Sequence, residues 1–239
     1  MRRLYYILSA ILLAVLATLM CIYDKGTLHL MLCDHHTAAG DVFFPVYTQV
    51  AEWGIYVVAV LLMLYKFGWG CFLLVSNWVA GGIGQIIKHI AQAPRPVTWF
   101  AQHYPDVQLP AIEGIEFKEW NSFPSGHTIT FFCLFLVLTM VIEELYHTAK
   151  RSYSEAVFQR QRSFSVSGLS AAGGLFALAT LGAYSRIYMS MHFAEDIFAG
   201  IILGVGITAL LSLFIPKLSN TRFWNANLHS SIFNHNCSN

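Results

Sequence analysis

Six long stretches of apolar residues, separated by shorter polar segments, dominate the pattern of the chain. A helix needs about 20 mostly apolar residues to cross the hydrocarbon core of a bilayer, and each stretch has that length or nearly so. The stretches are Leu4–Tyr23, Val46–Tyr65, Trp69–Ile90, Gly126–Ile142, Val166–Tyr184 and Ile197–Ile215. The pattern therefore predicts an all-α protein, an integral membrane bundle of six transmembrane helices.

The last two stretches follow one another without a proline or a strong turn signal between Tyr184 and Ala199. As one helix, the segment from Val166 to Ile215 would be about 75 Å long, whereas the hydrocarbon core is about 30 Å thick. The chain must therefore turn back, and we expect the turn near Met189–Met191. The polar segment around this turn would then lie at one membrane face.

The composition agrees with a membrane protein, since 56% of the residues are hydrophobic and 11% are charged. The formal net charge of +1 and the absence of a basic cluster argue against a nucleic-acid partner. The first stretch is too long for the core of a signal peptide and lacks an Ala-x-Ala site, so we interpret it as a span. We expect one membrane-embedded domain over residues 1–215, followed by a polar tail over residues 216–239.

The lysines and arginines are unevenly divided between the two sides of the predicted bundle. With the N-terminus inside, nine lie on the inner side (Arg2, Arg3, Lys66, Lys150, Arg151, Arg160, Arg162, Lys217, Arg222) and five on the outer side (Lys25, Lys88, Arg95, Lys118, Arg186). Because positive residues accumulate on the cytoplasmic side, we expect both termini in the cytoplasm. The small size and short loops suggest a bacterial inner-membrane protein.

Two outer loops separate the early spans. In Asp24–Pro45 we expect a short segment lying in the membrane interface. The Asp34-His35-His36 run with Asp41 has the residue types of a metal site, but a solvated polar loop is favoured. The longer loop, Ala91–Phe123, carries acidic residues that we interpret as solvated surface.

Glycines recur in two of the predicted spans. They form the patterns Gly81-Gly82-x-Gly84 and Gly200-x-x-x-Gly204. Small residues at such spacing let transmembrane helices approach closely. We therefore predict that both sets lie at helix–helix contacts rather than in a phosphate loop.

Three polar clusters fall on the outer face. Three cations, Lys88, Arg95 and Arg186, come from two of these clusters, at the end of the third span and at the predicted turn. Ser125 and Gly126 begin the fourth span, where the free N–H groups of a helix start attract anions. Serine at that position also has an ordinary role as an N-cap. Together the groups suit a tetrahedral, multiply charged anion.

Two histidines flank the predicted anion site. His192 and Asp196 are four residues apart, so on a helix the carboxylate can hold one imidazole nitrogen and leave the other free. Alone, this pair is equally well explained as a helix-end salt bridge. Phosphoryl transfer needs a nucleophile in line with the leaving oxygen and an acid that protonates this oxygen. His192 suits the first role and His127 suits the second.

The three clusters, taken in order, resemble the three-part signature of the type 2 phosphatidic acid phosphatase superfamily, which includes bacterial membrane lipid phosphatases. They read Lys88-x6-Arg95-Pro96, Pro124-Ser125-Gly126-His127 and Ser185-Arg186-x5-His192-x3-Asp196, within residues 88–196. The resemblance implies an acid phosphatase/haloperoxidase-like helical core, a phosphohistidine at His192, and hydrolysis without metal or other cofactor. It also implies that His127 is the acid and Asp196 the orienting carboxylate. The implied phosphate ligands are Lys88, Arg95, Ser125, Gly126 and Arg186.

The sequence thus predicts a membrane enzyme that removes a terminal phosphate from a lipid phosphate or diphosphate at the periplasmic surface. Candidate substrates are phosphatidic acid, phosphatidylglycerophosphate, undecaprenyl diphosphate and lipid A phosphate. One alternative is a phosphotransferase that passes the phosphoryl group to another lipid. A transporter or anion channel would use the cations for binding, but it leaves the pairing of His192 with Asp196 unexplained. The last alternative is a catalytically silent lipid-binding protein.

Overall fold

The structure is a computed structural model that describes residues 1–152 and 161–226. These residues form helices joined by turns and one long loop, which confirms the all-α prediction. Arg160, assigned above to the inner side, and residues 227–239 of the predicted tail lie outside the described ranges. The helices are α1 Arg2–Ile22, α2 Lys25–Cys33, α3 Ala38–Thr48, a 3₁₀ turn Gln49–Ala51, α4 Gly54–Tyr65, α5 Phe67–Ala91, α6 Pro96–His103, α7 Gly126–Ser152, α8 Gln161–Tyr188, α9 Ala194–Ser212, α10 Ile215–Leu218 and α11 Arg222–Asn225.

Four helical segments of the described residues are long and apolar enough to cross a membrane. They are Arg2–Ile22, Phe67–Ala91, Gly126–Ala149 and Ala194–Ser212. The segments Ala38–Ala51 and Gly54–Tyr65 make a pair bent by 49°, which gives a fifth span if the pair crosses as one unit. The described residues therefore support four or five spans, and the sixth remains a prediction.

The core of the bundle is built around α7. Every residue from Phe131 to Val137 on this helix is buried, as expected for a helix surrounded by others. Helices α5, α8 and α9 pack against it. The predicted turn is confirmed, because α8 ends at Tyr188 and α9 begins at Ala194.

The glycine prediction holds for three of the five positions. A Cβ at Gly84, Gly200 or Gly204 would lie 2.8 Å from an atom of α7, so these glycines do allow close contact. The prediction is wrong for Gly81 and Gly82, because a Cβ there would meet nothing within 4 Å. These two glycines line an open groove on α5.

The outer segment before the second predicted span is more ordered than a solvated loop. Asp41 accepts hydrogen bonds from His36 and from the hydroxyl of Tyr188, each at 2.7 Å. The His36 ring also stacks on Tyr188, with centroids 4.1 Å apart. The solvated-loop interpretation holds for Asp34 and His35, which are exposed before α3. It is wrong for His36 and Asp41, whose contacts fasten α3 to the end of α8. Among the described residues no cluster of histidine, cysteine and acidic side chains is able to hold a metal ion.

The first part of the predicted polar tail packs against the bundle. Trp224 on α11 is buried against the start of α5, where a Cβ at Gly68 would lie 2.2 Å from the indole. The backbone N–H of Phe67 donates to the carbonyl of Ala226 at 2.8 Å. The packed part of the chain therefore extends to Ala226.

Candidate active site

The first motif places two buried cations beside backbone carbonyls. Lys88 lies in the last turn of α5, and its ammonium donates to the carbonyls of Asn121 at 2.7 Å and Ser122 at 3.4 Å. Arg95 lies just before α6, where Pro94 and Pro96 exclude a continuous helix. Its guanidinium donates to two further carbonyls, those of Trp120 at 3.0 Å and Met191 at 3.2 Å. These contacts tie the first motif to the loop just before the second motif and to the third motif itself.

The second motif forms the start of α7. The hydroxyl of Ser125 accepts hydrogen bonds from the hydroxyl of Thr128 at 2.9 Å and from its N–H at 3.4 Å, so the serine does act as an N-cap. The backbone N–H of Ser125 donates to the carbonyl of Asp196 at 3.0 Å. This bond holds the start of α7 against the first turn of α9. Gly126 has open space where a Cβ would be, which leaves the helix start accessible to an anion.

The third motif supplies one more cation. Arg186 is buried in the last turn of α8, where its NH1 donates to the hydroxyl of Thr48 at 2.9 Å. Its Nε is buried and has no hydrogen-bond partner among the residues that the structure describes. A buried donor without a partner is costly, and an anion in the site would remove that cost.

His192 and Asp196 form the pair that the spacing predicts, although His192 lies in the turn rather than on α9. The two side chains are almost fully buried, with Nδ1 of His192 3.2 Å from Oδ2 of Asp196. The same Oδ2 accepts from the N–H of Phe193 at 2.8 Å and from the hydroxyl of Ser122. The carboxylate is therefore fixed by several donors and can orient the imidazole, leaving Nε2 for chemistry.

The surroundings of His192 favour its neutral form. Burial and the positive charges of Arg95, Arg186 and Lys88 lower the pKa of His192 well below its usual value of 6.5. A neutral imidazole retains a lone pair on one nitrogen, which a nucleophile requires.

His127 lies in the first turn of α7, at the rim of the site, with 22% of its side chain exposed. Its Nε2 is 3.1 Å from Oε1 of Glu52. Arg95, Arg186 and His192 are near enough to act on it electrostatically. The structure thus gathers all eight predicted site residues at one end of the bundle.

Three contributors to the site were missed in the sequence. Ser122 lies directly before the second motif, while Thr48 and Glu52 lie in what was interpreted as the second apolar stretch. An acidic residue within such a stretch is expensive and marks a functional site by default. This signal identifies Glu52, whereas no signal in the sequence identifies Thr48 or Ser122.

A groove of about 270 Å³ between α5 and α7 opens beside these groups. Lys88 and Gly126 line its end at the site, and Asn77 lines it about 16 Å further along α5, given the rise of about 1.5 Å per residue. Gly81 and Gly82 form part of its wall. The neighbouring Trp78 also lines the groove and is 59% exposed, so the groove opens on the outer surface of the bundle.

Comparison with known families assigns the chain to one of them. The model of the PAP2 superfamily matches residues 69–220, which is well over half of the sequence and includes all three motifs. The chain belongs to the PAP2 superfamily. No curated protein sequence matches it.

Two solved structures resemble the fold. A crystal structure of LpxE from Aquifex aeolicus has a TM-score of 0.57 at 20% identity, covering 78% of this chain and 93% of that one. A transmembrane PAP2-type phosphatidylglycerolphosphate phosphatase from Bacillus subtilis has a TM-score of 0.59 at 17% identity, covering 92% and 96%. With the apolar helices described above, these similarities make this PAP2 member a multi-pass membrane protein.

Proposed function

We propose that this PAP2 protein is a phosphatase that hydrolyses the terminal phosphate of a membrane lipid phosphate or diphosphate. The observation that carries the proposal is the charge of the site. Lys88, Arg95 and Arg186 are buried at one end of the bundle, and no carboxylate of the described residues forms an ion pair with any of them. Three buried cations that form no ion pair within the described part of the chain suit a phosphate group, whose oxygens match arginine forks.

In the first step, Nε2 of His192 attacks phosphorus. A P–N bond forms and the P–O bond to the lipid breaks, while His127 gives a proton to the departing oxygen. Asp196 holds the Nδ1 side of the nucleophile, which accumulates positive charge. Lys88, Arg95 and Arg186, with the N–H groups at the start of α7, stabilise the negative equatorial oxygens of the transition state.

In the second step, water attacks phosphorus and the P–N bond breaks. The proton of this water passes to His127, which restores the starting state of both histidines. Neither step uses a metal ion or another cofactor. The roles assigned to Ser125 and Gly126 are those of phosphate ligands at the helix start.

The groove between α5 and α7 supports a lipid as the substrate. It begins at Lys88 and Gly126 and opens on the outer surface of the bundle. A chain of the substrate can lie there while its phosphate occupies the cationic site. We further propose a bundle of six spans, with α8 as the fifth, the site on the periplasmic face and both termini in the cytoplasm, as the lysine and arginine distribution predicts.

The test is phosphate release by purified protein in detergent, using phosphatidic acid, phosphatidylglycerophosphate, undecaprenyl diphosphate and lipid A phosphate as a panel. We expect release from at least one lipid, and we expect His192→Ala to abolish it. His89→Ala is a matched control, because His89 is exposed near the same end of α5. Full activity in His192→Ala would rule out the mechanism.

Two alternatives give different products in the same assay. A phosphotransferase would move labelled phosphate onto a second lipid, which thin-layer chromatography detects. A transporter or channel would bind phosphate without turning over any lipid of the panel.

A further inference from the structure

Glu52 lies at the break between two helices and reaches the rim of the site. The chain leaves the 3₁₀ turn Gln49–Ala51 at this residue and bends by 49° before α4 begins. From there Oε1 of Glu52 approaches Nε2 of His127 to 3.1 Å. The carboxylate is 45% exposed, so it lies between solvent and the site.

The position of Glu52 is imposed by contacts on both sides of the break. The preceding helix is fastened to the end of α8 by Asp41, which accepts hydrogen bonds from His36 and Tyr188. One turn before Glu52, the buried hydroxyl of Thr48 accepts from Arg186. The same short element therefore contacts a cation of the site through Thr48 and His127 through Glu52.

Burial opposes the protonation of His127, and so do the other charges that face it. They are Arg186 on α8, Arg95 and Lys118 on the long loop, and His192 in the turn whenever that ring is charged. Glu52 is the carboxylate that forms an ion pair with His127 in the described structure. A carboxylate at this distance favours the imidazolium form. The acid of the reaction needs that form when the substrate is bound.

We propose that Glu52 is a positioning residue for His127: it accepts a hydrogen bond from Nε2, stabilises the imidazolium, and leaves Nδ1 to give its proton to the departing lipid oxygen. The site then contains two carboxylate–histidine pairs with different tasks. Asp196 orients the nucleophile, and Glu52 orients the acid and favours its imidazolium form. This inference rests on the proposed function, because it assigns His127 the role of the acid.

The test compares Glu52→Gln with the wild type on two kinds of phosphate monoester. An alkyl lipid phosphate, either phosphatidic acid or phosphatidylglycerophosphate, needs its leaving oxygen protonated, whereas 4-nitrophenyl phosphate releases a stable phenolate. We expect kcat to fall about tenfold or more on the lipid and less than about threefold on 4-nitrophenyl phosphate, with KM changed less than about twofold. The alkaline limb of kcat on the lipid should move about one pH unit lower, because the imidazolium of His127 in the substrate complex loses its proton more easily without the carboxylate.

Two further variants complete the test. Glu52→Asp should recover part of the lost kcat, and Glu113→Gln, which removes an exposed carboxylate from the long loop, should match the wild type. Equal losses on both substrates with an unchanged alkaline limb would make Glu52 merely structural and overturn the inference, as would wild-type kinetics in Glu52→Gln. A wild type that hydrolyses neither monoester would also overturn the inference, whereas a wild type that releases phosphate from none of the four panel lipids would contradict the proposed function.

Discussion

The cations of the candidate site and the cations at the opposite end of the bundle have different partners. At the end away from the site, Arg2 pairs with Glu143, and Lys66 pairs with Glu144. The indole N–H of Trp69 also donates to Glu144, at 2.6 Å. At the site end, within the described ranges, Arg95 and Arg186 donate only to carbonyls, a hydroxyl and a thioether, and one nitrogen of Arg186 has no partner there.

Under the proposed function, this difference separates charges that hold the fold together from charges that bind the substrate. A cation with a carboxylate partner is already neutralised and attracts a further anion weakly. A buried cation without one is costly in the folded protein, and a bound phosphate would recover that cost. The buried cations of the site thus lower the stability of the folded protein in exchange for substrate binding, as active-site residues often do.

The largest effect is expected at the site end. Replacing Arg186 by glutamine removes a cation that has no carboxylate partner, so kcat/KM on the lipid should fall about a hundredfold. The melting temperature in detergent should stay the same or rise, because a buried unpaired charge has been removed. Arg2→Gln, at the opposite end, is the control and should keep full activity. A folded Arg186→Gln protein with wild-type kinetics would break the comparison.

A second prediction concerns the stability of the site end at low pH. His29 is buried between Phe100 and Phe193, and burial lowers its pKa from 6.5 to about 4. Between these two values the unfolded chain binds the proton more readily than the folded protein. The free energy of unfolding should therefore decrease as the pH falls, by about 1.4 kcal/mol for each pH unit.

The measurement is the melting temperature in detergent at pH 7.5 and pH 5. His29→Gln does not carry this titrating ring, so it should lose less stability than the wild type over the same interval. An equal loss in both proteins would show that His29 is not responsible for the acid sensitivity.

The smallest effect is expected at the opposite end. Glu144→Gln removes the carboxylate that Lys66 and Trp69 share, and it should lower the free energy of unfolding by about 1 kcal/mol. Activity per folded molecule should be unchanged, because the residue is about 27 Å along α7 from the site, at a rise of about 1.5 Å per residue. Chemical denaturation and a lipid assay on the same sample check both statements. A fall in kcat with unchanged stability would contradict them.

The spacing of the three motifs predicted which residues meet, because each motif lies at a helix end and the alternation of spans brings those ends to one face. The length of the last apolar segment, which is too great for a single span, located the turn near Met189–Met191. Neither observation could show that Thr48 and Glu52 join the site, because their contacts arise from a break within what looked like a single apolar stretch. Ser122 was hidden for a similar reason: its partner Asp196 is 74 residues away.

The glycines show a second limit of prediction from the sequence. Gly84 and Gly82 are two residues apart on the same helix, yet one contacts α7 and the other faces open space. A pattern of small residues indicates that a close approach is possible. Which of them is used depends on how the helix is rotated, and that is decided by its neighbours.

The docking of Trp224 has a practical consequence for handling the protein. Its indole occupies the space that Gly68 leaves at the start of α5, and the last turn of the same helix carries Lys88. Deleting the chain from position 216 onward would expose that hollow and loosen the helix that presents the lysine. An affinity tag or a fluorescent reporter is therefore best attached beyond Ala226.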